Sequence, residues 1–182
     1  MNLRNEARRQ GMNYFAYLDS PIDRLLLISS EAALIGLTMN VPARPCDPDP
    51  TVGAHEDPSA GVLGLARQQL QEYFAGARRT FDLPLALGGT GFQERVWRTL
   101  SEIPYGETWS YGQLARHLGN PGASRAVGLA NGRNPISIIL PCHRVIGADG
   151  SLTGYGGGLP RKQWLLAHEA SAFGRQGELI GW

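Results

Sequence analysis

Helix starts and stops crowd residues 90–132 so densely that only short helices and tight turns fit between them. Thr90-Gly91-Phe92-Gln93 is a capping-box pattern, and Phe92, Val96, Leu100 and Ile103 then fall on one helical face. Pro104 and Gly106 stop that helix. Ser110-Tyr111-Gly112-Gln113 is a second capping box, opening a short helix with Leu114, Ala115 and Leu118 that ends at Gly119. Asn120-Pro121-Gly122 makes a turn, and Ala123 to Asn131 forms a third helix ended by Gly132. A longer helix followed by two short ones across a tight turn fits a helix-turn-helix. Such pairs also occur in proteins that never meet DNA, so the topology leaves the partner open.

The third helix is small-sided: Ala123, Ser124, Arg125, Ala126, Val127, Gly128, Leu129, Ala130 and Asn131. A major-groove reader needs several long polar side chains, and this helix offers mainly Arg125. Two uses remain, a tight core contact or a shallow seat at a minor groove with one projecting side chain. Charge bears on the choice. Residues 1–90 carry 8 Arg against 10 carboxylates, and residues 91–182 carry 9 basic residues against 6. No Asp or Glu occurs between Glu107 and Asp149, a stretch that holds Arg116, Arg125, Arg133 and Arg144. A polyanionic partner explains that window, as does chance in an Arg-rich composition where Lys162 is the single basic residue that is not Arg.

Before the Gly88-Gly89 boundary the style differs. Tyr14 to Asp19, Leu25 to Ser29 and Leu34 to Met39 read as a strand meander, and residues 41–60, with five prolines, as a loop. Leu63 to Phe74 has the spacing of an amphipathic helix, and Thr80 to Leu87 suits one more strand. Nothing here looks chemical: Cys46 stands among prolines and His55 has no partner at ligand spacing. No run approaches a membrane span of about 18 apolar residues, and no secretory signal follows Met1. Met12 is an alternative start. Two cysteines 96 positions apart make no disulfide framework, so a reducing cytoplasm is expected.

The chemistry gathers at Pro141-Cys142-His143-Arg144, behind the apolar run Pro135 to Leu140. A lone cysteine after such a run is usually a buried small hydrophobe. Here cationic neighbours favour a thiolate, the nucleophilic form. Consecutive side chains of an extended segment diverge, so a Cys142–His143 contact calls for a bridging water, and a carboxylate to orient the imidazole. Glu169, on a helix expected over Arg161 to Ala170, is the candidate. Zinc, the competing use, wants three or four ligands, and no second Cys/His pair exists.

Ile139 to Ile146 resembles the active-site signature of the O6-alkylguanine-DNA alkyltransferases. The likeness extends over residues 92–169 through Phe92 to Trp97, Ile103 to Thr108, Ser110 to Ala115, Ser124 to Gly128, Asn134-Pro135, Leu152 to Gly158 and the Leu165-Leu166 to Glu169 helix. It implies an α/β (α+β) protein. A small N-terminal sheet-plus-helix domain (12–87) would serve as scaffold. A mainly helical, winged helix-turn-helix-like C-terminal domain (88–170) would bind DNA and take the alkyl group, with a tail at 171–182. The implied activity is direct, single-use transfer of the alkyl group from O6-alkylguanine, and from O4-alkylthymine, to Cys142.

By the same resemblance, His143 and Glu169 form the proton network and Asn134 hydrogen-bonds at the thiol. Tyr111 helps turn the nucleotide and protonates the leaving guanine. Arg125 fills the space vacated by the flipped base, with Ser124, Ala126 and Arg133 also at the DNA. Val145, Tyr155 and Gly156 would line the guanine pocket. The expected partner is double-stranded DNA, bound in the minor groove with little regard for sequence, by a cytoplasmic monomer. No cofactor or metal is expected: no Gly-rich nucleotide fingerprint follows a strand, and the zinc ligands of some family N-terminal domains are missing. Trp109 stands at a variable position, where its bulk bears on the DNA-facing surface. Rival readings are a lesion sensor, which lacks the reactive cysteine, a winged-helix regulator with a structural Cys142, and a Cys-His-Glu hydrolase.

Overall fold

The computed structural model describes residues 12–39 and 53–171. Residues 1–11 ahead of the alternative start Met12, Cys46, the first part of the proline-rich loop and residues 172–182 lie outside them. Two compact units divide the chain, residues 1–87 and 88–182.

In the first unit, β1 (Asn13–Leu18), β2 (Leu25–Ser29), β3 (Leu34–Thr38) and β4 (Ala54–Glu56) form one sheet in the order β3-β2-β1-β4. The first three strands make the expected antiparallel meander. Leu25, Leu26 and Leu27 of β2 are all fully buried, as suits an inner strand covered on both faces. The helix α1 (Leu63–Phe74) buries Leu63, Ala66, Leu70 and Tyr73, the residues its periodicity selects.

Two expectations change. Residues 54–56, inside the predicted loop, add a strand parallel to β1; its Ala-His-Glu sequence carries no apolar alternation because it is an edge. Thr80 to Leu87 is not a full strand. Leu34 and Leu85 form an isolated bridge, with Leu34 donating to the Pro84 carbonyl and Ala86 donating back to Leu34. Pro84 has no N–H to extend a ladder. The segment is held instead by Gln69, whose amide bonds both the carbonyl and the N–H of Asp82 at 2.8 and 2.9 Å.

In the second unit, α2 (Gly91–Leu100) and α3 (Tyr111–His117) each begin with a complete capping box, at Thr90/Gln93 and Ser110/Gln113. Gly106 and Gly119 take left-handed conformations, with φ of 76° and 74°, where the chain turns sharply. A short 3-10 turn over Pro121–Ala123 leads into α4 (Ser124–Gly132). The far end of α4 is pinned by Trp97, whose buried indole N–H donates to the Ala130 carbonyl at 2.7 Å. The short strands β5 (Trp109–Ser110) and β6 (Val145–Ile146) pair in parallel, and α5 (Leu159–Ser171) buries Lys162, Leu165, Leu166, Glu169 and Ala170.

The run before the cysteine is not a strand. Asn134 accepts from the Ile136 N–H at 3.0 Å and donates to the Leu140 carbonyl at 2.7 Å, folding residues 135–140 into a knot. At its centre Ile138 is fully buried with φ of 71°. A β-branched residue there costs about 1–3 kcal/mol, tolerated because the surrounding core over-determines it. Cys142–Arg144 is a 3-10 turn, not the extended segment expected from the sequence.

Candidate active site

Cys142 opens that turn at 4 % exposure, its N–H donating to the Leu140 carbonyl at 2.8 Å. Burial pushes its thiol up; hydrogen bonds from Asn134 and Ser137 and the positive charge of Lys162 oppose the rise. His143 follows, fully buried, with Nε2 2.8 Å from Glu169 Oε1. Its Nδ1 is buried without a hydrogen-bond partner.

Glu169 is held from several sides. Arg144 donates to both carboxylate oxygens, at 2.8 and 3.0 Å, and the Gly106 N–H donates to Oε2 at 3.1 Å. Burial alone would raise this carboxyl, but His143 and Arg144 more than offset it and hold it well below the usual carboxylate range. Burial lowers His143, Glu169 pulls it back up, and Arg144 and Lys162 push it down; the net direction is down. In the neutral imidazole the ring proton sits on Nε2, since the ionised carboxylate 2.8 Å away only accepts.

An open groove of about 540 Å³ is lined by Tyr111, Ser124, Arg125, Gly128, Leu129, Thr153 and Gly154. The Tyr111 hydroxyl reaches across to the Thr153 carbonyl at 3.3 Å. The ring lies over Gly128, where an added Cβ would sit in ordinary van der Waals contact with it at 3.6 Å. Arg125 and Ala126 are exposed near the start of α4, and Arg133 is exposed just beyond its end. Val145 is fully buried, and Tyr155 and Gly156 follow the groove-lining Gly154 in the chain. Burial and the nearby Cys142 push Tyr155 well up, so it stays a neutral phenol. Among the described residues no three His, Cys, Asp or Glu side chains cluster as metal ligands.

Two family models match the chain: the DNA-binding domain of 6-O-methylguanine DNA methyltransferase over residues 91–171, and its ribonuclease-like domain over residues 13–87. The methylated-DNA–protein-cysteine methyltransferase of Mycobacterium tuberculosis (strain H37Rv) is 52 % identical over 160 residues, covering 88 % of this chain and 94 % of that one. Its namesake in Methanosarcina acetivorans is 50 % identical over 159 residues, covering 87 % and 99 %. The crystal structure of Mycobacterium tuberculosis OGT in complex with DNA superposes with a TM-score of 0.77 at 50 % identity, covering 87 % of this chain and 94 % of that chain.

The chain belongs to the 6-O-methylguanine DNA methyltransferase family. This methyltransferase departs in one respect from the sequence reading of its own active site. The cation bearing on the thiol is not Arg144, whose guanidinium is engaged by Glu169 and, at 2.7 Å, by the Ile103 carbonyl. It is Lys162, fully buried, donating to the carbonyls of Val145 at 2.6 Å and Thr153 at 2.8 Å. Burial lowers this ammonium from 10.5 to about 8, and Cys142 pulls it back up. A signal for it existed. Lys162, Leu165, Leu166 and Glu169 share one helical face, so a lysine stands where the pattern asks for a core residue. Lys162 also joins the two halves of the site, since the Thr153 carbonyl it holds is the one that Tyr111 reaches.

Proposed function

We propose that this protein repairs O6-alkylguanine, and O4-alkylthymine, in double-stranded DNA by moving the alkyl group onto Cys142, once per molecule. The observation that carries the reading is a buried Cys142 beside the His143-Glu169 pair, linked through Lys162 and the Thr153 carbonyl to an open groove lined by Arg125 and Tyr111. The Sγ–carbon bond forms as the carbon–O6 bond breaks, and the electron pair leaves with guanine. The thiol proton passes to His143, and Tyr111 supplies a proton to the leaving base. Asn134 orders the turn that presents the thiol.

The damaged nucleotide is extruded because its alkyl group is out of reach inside the stack, and Arg125 fills the gap. Seated in the minor groove, α4 has small side chains that approach the backbone closely, with Ser124, Ala126 and Arg133 beside it. Such contacts position the protein and read little sequence. Val145, Tyr155 and Gly156 belong to the guanine pocket. Residues 88–170 are the DNA-binding and alkyl-transfer domain, and residues 12–87 are its scaffold. The protein acts as a cytoplasmic monomer; among the described residues no helix is long and apolar enough to cross a membrane.

The test is intact mass after incubation with a duplex containing O6-methylguanine. One methyl group should appear on Cys142, and none in Cys142→Ala. An unmodified Cys142 refutes the reading, and repeated turnover on an ester or amide would favour a hydrolase.

A further inference from the structure

Arg144 directly follows the Cys-His pair, yet its guanidinium is directed at Glu169, bidentate at 2.8 and 3.0 Å, and at the Ile103 carbonyl at 2.7 Å. It is 5 % exposed, and the carboxylate it grips is fully buried. A histidine paired with a free buried carboxylate is drawn toward the imidazolium form. In that form His143 has no lone pair for the thiol proton. The charged groups acting on the imidazole are Glu169 and Lys162 from α5 and Arg144 from its own turn, and Cys142 precedes it in the chain. Of the three charged at neutral pH, only Glu169 favours a cationic ring.

We propose that Arg144 is a positioning residue for proton transfer: by gripping both oxygens of Glu169 it limits that carboxylate's pull on His143. The ring then stays neutral, with its proton on Nε2 and its buried Nδ1 left to receive the thiol proton. Glu169 orients the imidazole without trapping it as imidazolium. The proton path balances: the thiol proton goes to Nδ1, directly or over a bridging water. The thioether forms as the leaving group departs, and the imidazolium releases its extra proton afterwards. This inference rests on the alkyl-transfer reading of Cys142.

The experiment follows the rate of Cys142 alkylation by free O6-benzylguanine against pH, read by intact mass, in the wild type, Arg144→Met and Arg144→Lys. Removing a full charge from a buried cluster raises the proton affinity of His143. The acid limb of the Met profile should therefore move up by about one to two pH units. Lys keeps the charge while losing the fork, and should return the limb to within about half a unit of wild type. An unmoved limb in folded Arg144→Met overturns the proposal, as does an equal displacement in both variants.

Should the Met variant not fold, ¹⁵N ring signals of His143 in the unmodified wild type give the second reading. A neutral ring protonated on Nε2 between about pH 6 and 8 is expected, and imidazolium in that range overturns the proposal. A wild type that is never alkylated would sink the repair reading, while the ring signals would still report on the His143-Glu169-Arg144 cluster.

Discussion

Replacing Lys162 by Met separates what this lysine does for stability from what it does for the thiol. The two side chains are similar in length, so packing against Leu165 and Leu166 is broadly kept. The substitution strands one acceptor, the Val145 carbonyl, and leaves the Thr153 carbonyl with its bond from the Tyr111 hydroxyl alone. Each unpaired buried acceptor costs about 1–3 kcal/mol. Against this, the ammonium carries a burial penalty. Its lowering from 10.5 to about 8 corresponds to roughly 3 kcal/mol in the folded state at neutral pH, at about 1.4 kcal/mol per unit.

The sign follows from linkage. The folded pKa lies below the unfolded one, so the penalty is complete below about pH 8 and disappears as pH rises toward 10.5. The terms nearly cancel, and Lys162→Met should stay within about 1 kcal/mol of wild type at pH 7 in urea unfolding. Reactivity should change far more. Without the neighbouring positive charge the Cys142 thiol rises further, leaving less thiolate and a reaction slower by roughly tenfold. Alkylation by O6-benzylguanine at pH 7 should slow accordingly. The deficit should shrink above about pH 8, where the wild-type lysine itself loses its proton. Either of two results would refute the reasoning: a variant as reactive as wild type at pH 7, or a deficit of constant size across that pH.

Arg125→Ala should slow repair in duplex DNA more than alkyl transfer from the free base, measured side by side with O6-methylguanine duplex and O6-benzylguanine; equal losses count against a role at the DNA. The Trp97→Phe change removes the 2.7 Å indole donor from an Ala130 carbonyl that keeps the Arg133 N–H at 3.1 Å, and should cost about 0.5–1.5 kcal/mol in chemical unfolding. Ser110→Ala removes the side-chain half of the α3 capping box and should cost about 1 kcal/mol, seen as a lower melting temperature with the free-base rate largely kept.

Local rules carried far in the helical half because they act over three or four residues. Both capping boxes, at Thr90 and Ser110, formed where the spacing placed them, and the buried face of α1 followed its period. Reading failed where a long-range partner decides. The strand at Ala54 to Glu56 exists because β1 offers it an edge. Thr80 to Leu87 does not become a full strand because Pro84 cannot donate. The apolar Pro135 to Leu140 run had a strand's composition, but Asn134 bonds at both ends of it and turns it back on itself.

The sequence by itself determined the chemical types present: a cysteine next to a histidine, a carboxylate on a downstream helical face, and one long basic side chain on a small-sided helix. Which cation serves which anion was left to the tertiary structure. Arg144 is a chain neighbour of the nucleophile, yet the 3-10 turn directs it to Glu169, 25 residues away. Lys162, 20 positions from Cys142 in the chain, supplies the positive charge at the thiol. The physical reason is that electrostatic effects depend on distance and burial in space, and adjacency along the chain fixes neither.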